Sequence, residues 1–328
     1  MSGKLRWGFL SAGAIANAVA QDFQIEGLTI QAVGARELSK SRAFGDKFSI
    51  PNCHDGYESL VNDPEVDIVY VSTLPTMHHR DALLAIEAGK HVLIEKPFTI
   101  NAKEAREIRE AAHLNNVFVM EAMWTRFLPS MTEIFNIIQS GLLGEIQLLV
   151  ADHSQFLPDL PRLNERALGG GALLDLGIYP VSLAVRLLGR PENIVARATL
   201  NSDQVDSLTS IIFQCKNGSQ ANLTTCMSAA GPVNAIIVGT KGRIEIDGFF
   251  FFQTNFTHFD VQGNVLKRYT EKIDGVGRQY QATHVEECIN NGLLQSSIMS
   301  IDDSVEVMEV MDAIRRQTGV IYPSEIEV

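Results

Sequence analysis

Arg6-Trp7-Gly8-Phe9-Leu10-Ser11-Ala12-Gly13-Ala14-Ile15-Ala16 decides how the chain is read. Leu5 to Leu10 is short and apolar, as a buried strand is, and Ala14 to Phe23 carries a helical pattern. Small residues at such a turn let the N–H groups of a helix N-terminus approach a pyrophosphate. Against G-x-G-x-x-G the chain offers Ser11-x-Gly13-x-x-Ala16, so only the middle glycine is strictly present. An ordinary strand-to-helix turn would carry the same residues, and the neighbouring sequence has to decide. A secretory leader is the competing reading, with a basic start at Lys4 and Arg6, an apolar run and Ala18-Val19-Ala20. Ser11, Gly13 and Asn17 interrupt that run, and a second strand-like run, Leu28 to Ala35, follows at the distance a βαβ unit requires. A first strand, a tight turn and a helix are therefore expected.

Outward from this turn the first 120 residues alternate. Strands are expected at Leu5–Leu10, Thr29–Ala35, Ile68–Ser72, His91–Ile94 and Val117–Met120, with helices at Ala14–Phe23, Ser39–Phe48, His79–Glu87 and Ala102–Leu114. Short apolar strands separated by helices are the mark of a parallel sheet covered on both faces. Asn101 followed by Glu104 reads as a capping box, Gly89 as a helix stop and Asp63-Pro64 as a break before the third strand. After about Arg126 the texture changes. Helices are expected at Ser130–Ser140 and Gly170–Leu188, the latter interrupted by Gly177 and Pro180, with a strand at Ile146–His153 between them. From Asn193 to Leu266 β-rich runs follow one another, Phe249–Phe252 among them, joined by turns such as Lys216-Asn217-Gly218. Two helices, Gln279–Asn290 and Ser304–Gln317, finish the chain. The pattern gives an α/β unit over residues 1–122 and a mostly antiparallel α+β unit over 123–328.

Composition limits the partners. The 328 residues carry 27 Lys+Arg against 39 Asp+Glu, a net charge of −12, and the closest basic pairs, Arg315-Arg316 and Lys267-Arg268, are flanked by acids. Such a balance repels phosphate backbones and anionic lipid, so neither nucleic acid nor a membrane surface is an expected partner. Cys53, Cys215, Cys226 and Cys288 have no zinc-site spacing and no disulfide framework, which points to a reducing cytoplasm and no metal.

Within the α/β half, Arg36 closes the second strand, where an NAD-specific fold would usually place an acid, and an arginine there suits a 2′-phosphate. A solvated surface arginine is the plain alternative. Glu95-Lys96-Pro97 follows the fourth expected strand, at the carboxyl edge where open α/β sheets bind ligands, although a charged loop there is also common. His78 and His79 follow the third expected strand and are too close in sequence for a rigid metal pair. In the second half Gly169-Gly170-Gly171 leads to Asp175 and Tyr179. These two share a face if the segment is one helix, and face one side as well if Pro180 starts a new helix capped by Tyr179.

Three stretches together resemble the Gfo/Idh/MocA family of NAD(P)-dependent oxidoreductases. They are Ala88-Gly89-Lys90-His91-Val92-Leu93-Ile94-Glu95-Lys96-Pro97, Gly170-Gly171-Ala172-Leu173-Leu174-Asp175 with Gly177, Tyr179 and Pro180, and Gly239-Thr240-Lys241-Gly242-Arg243-Ile244. Met120-Glu121-Ala122-Met123-Trp124-Thr125-Arg126-Phe127 is most similar to the branch of dimeric dihydrodiol dehydrogenases and NADP-dependent D-xylose dehydrogenases. The resemblance implies a Rossmann doubly wound parallel sheet followed by a domain with a large open antiparallel sheet, through which copies would associate as a homodimer or higher homo-oligomer. It implies NADP, with NAD as the alternative, held by Ser11, Gly13, Ala14, Ile15, Arg36, Thr73, His78, Glu95 and Lys96. It further implies a sugar, polyol or dihydrodiol substrate lined by Trp124 and Arg126, with catalytic roles for Lys96, Asp175 and Tyr179. Asp175 would hold substrate hydroxyls and Tyr179 would exchange the proton. Leu74-Pro75-Thr76 departs from the Pro-Asn common in the family after this strand.

A free tyrosine ionises at about pH 10 and is a poor base near neutrality. A Lys96 ammonium and a positive nicotinamide would favour the phenolate. A sensor that binds NADP without turnover is the rival expectation, and the complete Lys96, Asp175 and Tyr179 set argues against it. The Phe249–Phe252 run reads either as core packing or as part of a subunit interface on the sheet.

Overall fold

The computed structural model describes residues 4–326; Met1–Gly3, where the leader-like run starts, and the last two residues of the expected second domain lie outside them. The chain divides into two compact units. One runs to Trp124 and takes in Asp274–Val305, and the other comprises Thr125–Ile273 and the chain from Glu306.

In the first unit β1 (Arg6–Leu10), α1 (Ala14–Glu26), β2 (Thr29–Ala35), α2 (Leu38–Phe48), β3 (Asn52–Asp55), α3 (Tyr57–Val61), β4 (Ile68–Val71), α4 (His78–Glu87), β5 (His91–Glu95), α5 (Ala102–Asn115) and β6 (Val119–Ala122) alternate as expected. The six strands form a parallel sheet in the order β3-β2-β1-β4-β5-β6, the doubly wound arrangement. Trp7, Phe9, Val69, Tyr70, Val92 and Leu93 are fully buried, which is why these strands read as apolar runs and not as alternations. The α5 cap forms as expected at Asn101, whose Oδ1 accepts from the Glu104 N–H at 3.0 Å. The reciprocal Glu104 carboxylate takes the N–H of Ile100, one residue earlier than a capping box requires. The short pair β3 and α3 has no counterpart in the expected elements, because its strand, Asn-Cys-His-Asp, is polar and only half-buried.

In the second unit α6 (Pro129–Gln139) precedes β7 (Ile146–Ser154), α7 (Pro161–Asn164) and α8 (Ile178–Leu188). There follow β8 (Asn193–Leu200), β9 (Asp206–Gln214), β10 (Gln220–Cys226), β11 (Ala235–Gly239), β12 (Gly242–Ile246), β13 (Phe256–Asp260) and β14 (Val265–Tyr269). The eight strands lie in the order β14-β13-β12-β11-β7-β10-β9-β8, antiparallel except where β7 meets β10. The stretch Arg166–Leu188 is long and apolar enough to cross a membrane, but most of it is buried inside the protein, as the core helix of a sheet-backed unit is.

Two expectations are corrected. Residues 123–328 are not one continuous domain, because α9 (Gln279–Asn290) returns to the first unit, where Glu286 accepts a hydrogen bond from the Trp7 indole at 2.8 Å. Asp22 on α1 takes the N–H groups of Val276 and Arg278, fastening the start of this returning segment. The chain then re-enters the second unit within α10 (Ile301–Thr318). Phe249–Phe252 is a turn and not a strand, with Phe249 at φ 61°. Phe250 and Phe251 are buried there, so core packing is the reading that holds for those two rings.

Candidate active site

Register places the nucleotide side of the site. Leu10 pairs with Val71, Val71 with Ile94, and Glu95 with Ala122, so the residues after β1, β4, β5 and β6 emerge side by side at one edge of the sheet. That edge holds Ser11 to Gly13, Thr73, Lys96 and Trp124. It spans the β1/β4 boundary, where strand order reverses and ligands of such sheets bind.

After β1 the Ser11 N–H donates to Gly34 O at 3.0 Å, and the Ser11 hydroxyl accepts from the Gly13 N–H at 3.2 Å. Ser11 stands at φ 118°, a conformation that costs a non-glycine residue about 1–3 kcal/mol and gathers at functional turns. Gly13 caps α1 with extended backbone, no side chain satisfies the first turn and no acid lies in it. Ala14 is exposed and Ile15 half-buried in that turn. An uncapped, half-exposed helix start without local negative charge fits an anionic pyrophosphate. At the end of β2 Arg36 is exposed, while Glu37 is occupied by Lys40 at 2.6 Å, an ion pair that holds its carboxyl below the usual range. The arginine is thus the open charge at this strand end, and a 2′-phosphate fits it. After β4 the buried Thr73 hydroxyl has no hydrogen-bond partner among the described residues, a polar atom left for a ligand.

His78 is 1% exposed, with Nδ1 2.8 Å from Pro97 O and Nε2 3.1 Å from Thr73 O. Burial holds its pKa below the ordinary value, so the ring is neutral at pH 7. With a single N–H the ring bonds one of these two carbonyls, the nearer one on Pro97, and so ties the start of α4 to the loop after β5. Glu95 is likewise turned inward. Its Oε1 accepts from the Tyr70 hydroxyl at 2.5 Å and its Oε2 from the Lys96 N–H at 3.2 Å, and burial raises its pKa. Both residues hold the half-buried Lys96 from behind. The Lys96–Pro97 peptide is cis. Trp124 is buried, with the Arg278 guanidinium 5.2 Å from its ring centre.

The second unit supplies the other candidate residues. Leu173–Gly177 is a single π turn running directly into α8. Pro180 has no N–H to return to the Leu176 carbonyl, and helices commonly adjust by such a wider turn beside a proline. The segment is therefore one helix with a π turn, the first of the two geometries left open by the sequence. Asp175 sits inside the turn and is ion-paired with Arg162 of α7 at 2.7 Å. Tyr179 is 7% exposed and stands in an aromatic wall, its ring 5.3 Å from His153 and 5.0 Å from Phe251, which stack on each other at 4.3 Å. Arg126 is buried, donating to Ser182 Oγ through Nε at 3.3 Å and Nη2 at 3.1 Å. A small pocket of about 20 Å³ is lined by Thr125, Arg126, Tyr179, Ser182, Arg186 and Phe250, among others.

Sequence reasoning missed Tyr70, Arg162, His153 and the buried Asp206 of β9. None has a local motif, and each is defined by a partner distant in the chain.

Comparison with known proteins agrees with this arrangement. The family model described as "Oxidoreductase family, NAD-binding Rossmann fold" matches residues 5–123, and the GFO/IDH/MocA C-terminal domain matches residues 131–245. A trans-1,2-dihydrobenzene-1,2-diol dehydrogenase from Xenopus laevis is 36% identical over 97% of this chain and 99% of its own length. One from Homo sapiens is 31% identical over 98% and 99%. Among solved structures, aldose-aldose oxidoreductase from Caulobacter crescentus, complexed with glycerol, superimposes with a TM-score of 0.87 at 26% identity, covering 97% of this chain and 98% of that one. With this sheet order, this nucleotide edge and full-length relatives of that kind, the chain belongs to the GFO/IDH/MocA family of oxidoreductases and is an enzyme with an NAD-binding Rossmann domain.

Proposed function

We propose that this oxidoreductase moves a hydride between NADP(H) and a secondary alcohol or carbonyl of a dihydrodiol, sugar or polyol, with NAD as the weaker cofactor. The observation that carries this reading is the in-register edge where the uncapped α1 start, Thr73 and Lys96 emerge together. Arg36 supports the choice of NADP, and the dihydrodiol dehydrogenase relatives support the substrate class. When bound, the nicotinamide supplies or accepts the hydride.

The remaining chemistry is assigned to this chain's own side chains. Tyr179 gives its hydroxyl proton to the substrate oxygen in reduction and takes it back in oxidation, a step of the kind worth about 10²–10⁴ in rate. Base function near neutrality requires a cation that favours the phenolate, and that task is assigned to Lys96. Asp175 accepts hydrogen bonds from substrate hydroxyls. Trp124 and Arg126 line the substrate, with the His153–Phe251 stack as an apolar wall behind Tyr179.

The partner is a second copy of the chain. On the outer face of the large sheet Val195 pairs with Ile212, Ile212 with Asn222 and Asn222 with Val150, and the three apolar residues of this row are exposed by 53%, 48% and 38%. A row that is apolar on three of its four strands suits a matching face related by two-fold symmetry. A reducing cytoplasm completes the proposal, and cell fractionation tests it.

The deciding experiment is turnover on a panel of trans-dihydrodiols, D-xylose, D-glucose and dicarbonyls, each with NADP and NAD. The reading expects one class to be turned over with NADP preferred. Cofactor binding without turnover on any member would favour a sensor.

A further inference from the structure

The glycine run Gly169-Gly170-Gly171 draws the short helix α7 against the π turn that carries Asp175. The Gly171 N–H donates to Leu163 O at 2.8 Å, and the Gly170 N–H donates to Glu165 O at 3.0 Å. A Cβ on Gly170 would meet Leu163 O at 2.6 Å and Glu165 O at 2.8 Å, so only bare backbone fits there. Leu163 is fully buried, and Asn164 O accepts from Asn201 Nδ2 at 3.0 Å. The π turn itself is held by the buried Asp206, whose Oδ2 accepts from the Leu173 N–H at 2.7 Å. Backbone contacts and a buried leucine thus fix α7, and the place of Arg162 on it follows from them.

Arg162 sets its Nη1 2.7 Å from Asp175 Oδ1. The arginine side chain is 49% exposed, and an ion pair so open to water contributes little to stability. Among the described residues the guanidinium has no other hydrogen-bond partner, which leaves most of its N–H donors to water or a ligand. The pair therefore holds a donor and an acceptor side by side, beside the helix that presents Tyr179. A hydroxyl both donates and accepts, and two hydroxyls on neighbouring carbons offer one of each role at a similar spacing. A fixed carboxylate–guanidinium edge is complementary to such a vicinal pair, whereas an isolated alcohol engages only half of it.

We propose that Arg162 is a substrate-binding residue that makes the enzyme specific for vicinal hydroxyls: Asp175 accepts from one hydroxyl while the Arg162 guanidinium donates to the oxygen of the next. The proposal rests on the role given to Asp175 above.

The test uses the full-length protein with NADP, the best diol or sugar of the panel, and its deoxy analogue, which lacks the hydroxyl beside the reacting one. The wild type should favour the diol by at least about a hundredfold in kcat/KM, because a site built to bond a hydroxyl rejects the analogue lacking it. Arg162→Met should lower kcat/KM on the diol about tenfold or more, chiefly through KM, with the deoxy analogue changed by no more than about twofold. Arg162→Lys should recover part of the preference. The melting temperature of Arg162→Met should stay within about 2 °C of the wild type, which separates this role from one in folding. In an Asp175→Asn background, Arg162→Met should still cost the diol about threefold or more, since the two groups bond different hydroxyls. No further loss there would mean that Arg162 acts only through Asp175, and overturns the proposal. Unchanged preference in Arg162→Met, or equal losses on both substrates, also overturns it. If Asp175→Asn lowers the preference and Arg162→Met does not, the role of Asp175 stands and only Arg162 falls. If neither variant alters the preference, the role given to Asp175 falls as well.

Discussion

Replacing His78 by alanine tests how Lys96 is held. The imidazole is neutral and has one N–H, and its shorter contact, 2.8 Å to Pro97 O, takes it. His78→Ala leaves that carbonyl buried without its donor, at a cost of about 1–3 kcal/mol. Emptying a packed site adds about 2 kcal/mol, so the loss is about 3–5 kcal/mol. At about 2–4 °C per kcal/mol for units of this size, the melting temperature should fall by roughly 10 °C. Because the same contact fixes the loop after β5, kcat should fall on the order of tenfold to a hundredfold. His78→Gln, which restores a donor, should recover part of both. The assays are calorimetry and NADPH-linked steady-state kinetics. A His78→Ala protein that melts within about 2 °C of the wild type and keeps its kcat would refute the tether.

Three further outcomes follow from named geometry. Arg36→Ala should weaken NADPH binding by at least about tenfold while NADH binding changes little, as titration of both cofactors would measure; equal losses would remove the 2′-phosphate assignment. Ile212→Glu places a charge in the apolar row of the outer sheet face and should shift sedimentation from dimer to monomer with the fold intact, whereas a wild type that sediments as a monomer when dilute contradicts the association. Asp206 binds its proton up to about pH 6 in the folded protein and releases it at the ordinary 3.8 when unfolded, so the folded state holds more protons between these values. Its favourable contribution is thus present below about pH 4 and lost by about pH 6, a difference of about 3 kcal/mol that melting curves of wild type and Asp206→Asn across this range should reveal.

The parallel sheet was legible because its strands are buried runs separated by helices, and its nucleotide turn because Gly13 stands between a strand and a helix. Phe249–Phe252 misled because hydrophobicity records burial and not backbone geometry, and Phe249 in a left-handed conformation ends any strand there. The return of α9 to the first unit was illegible for a related reason: a helical period shows which face is buried but not against what. Within the site, Glu95-Lys96-Pro97 and the stretch from Gly170 to Tyr179 are contiguous and could be found. Tyr70 acts on Glu95, 25 residues away, and Asp206 acts on Leu173, 33 residues away, and only the fold brings each pair together. His78 opens α4 just after Thr73, and the proximity of its ring nitrogens to two backbone carbonyls could not be read from sequence.

The central claim is that Tyr179 exchanges the proton during hydride transfer. Tyr179→Phe keeps the ring that packs on Phe251 and His153 and removes only the hydroxyl. NADPH formation from the preferred alcohol should fall at least about a hundredfold in this variant, with NADPH affinity within about twofold of the wild type. Undiminished turnover by Tyr179→Phe would contradict it.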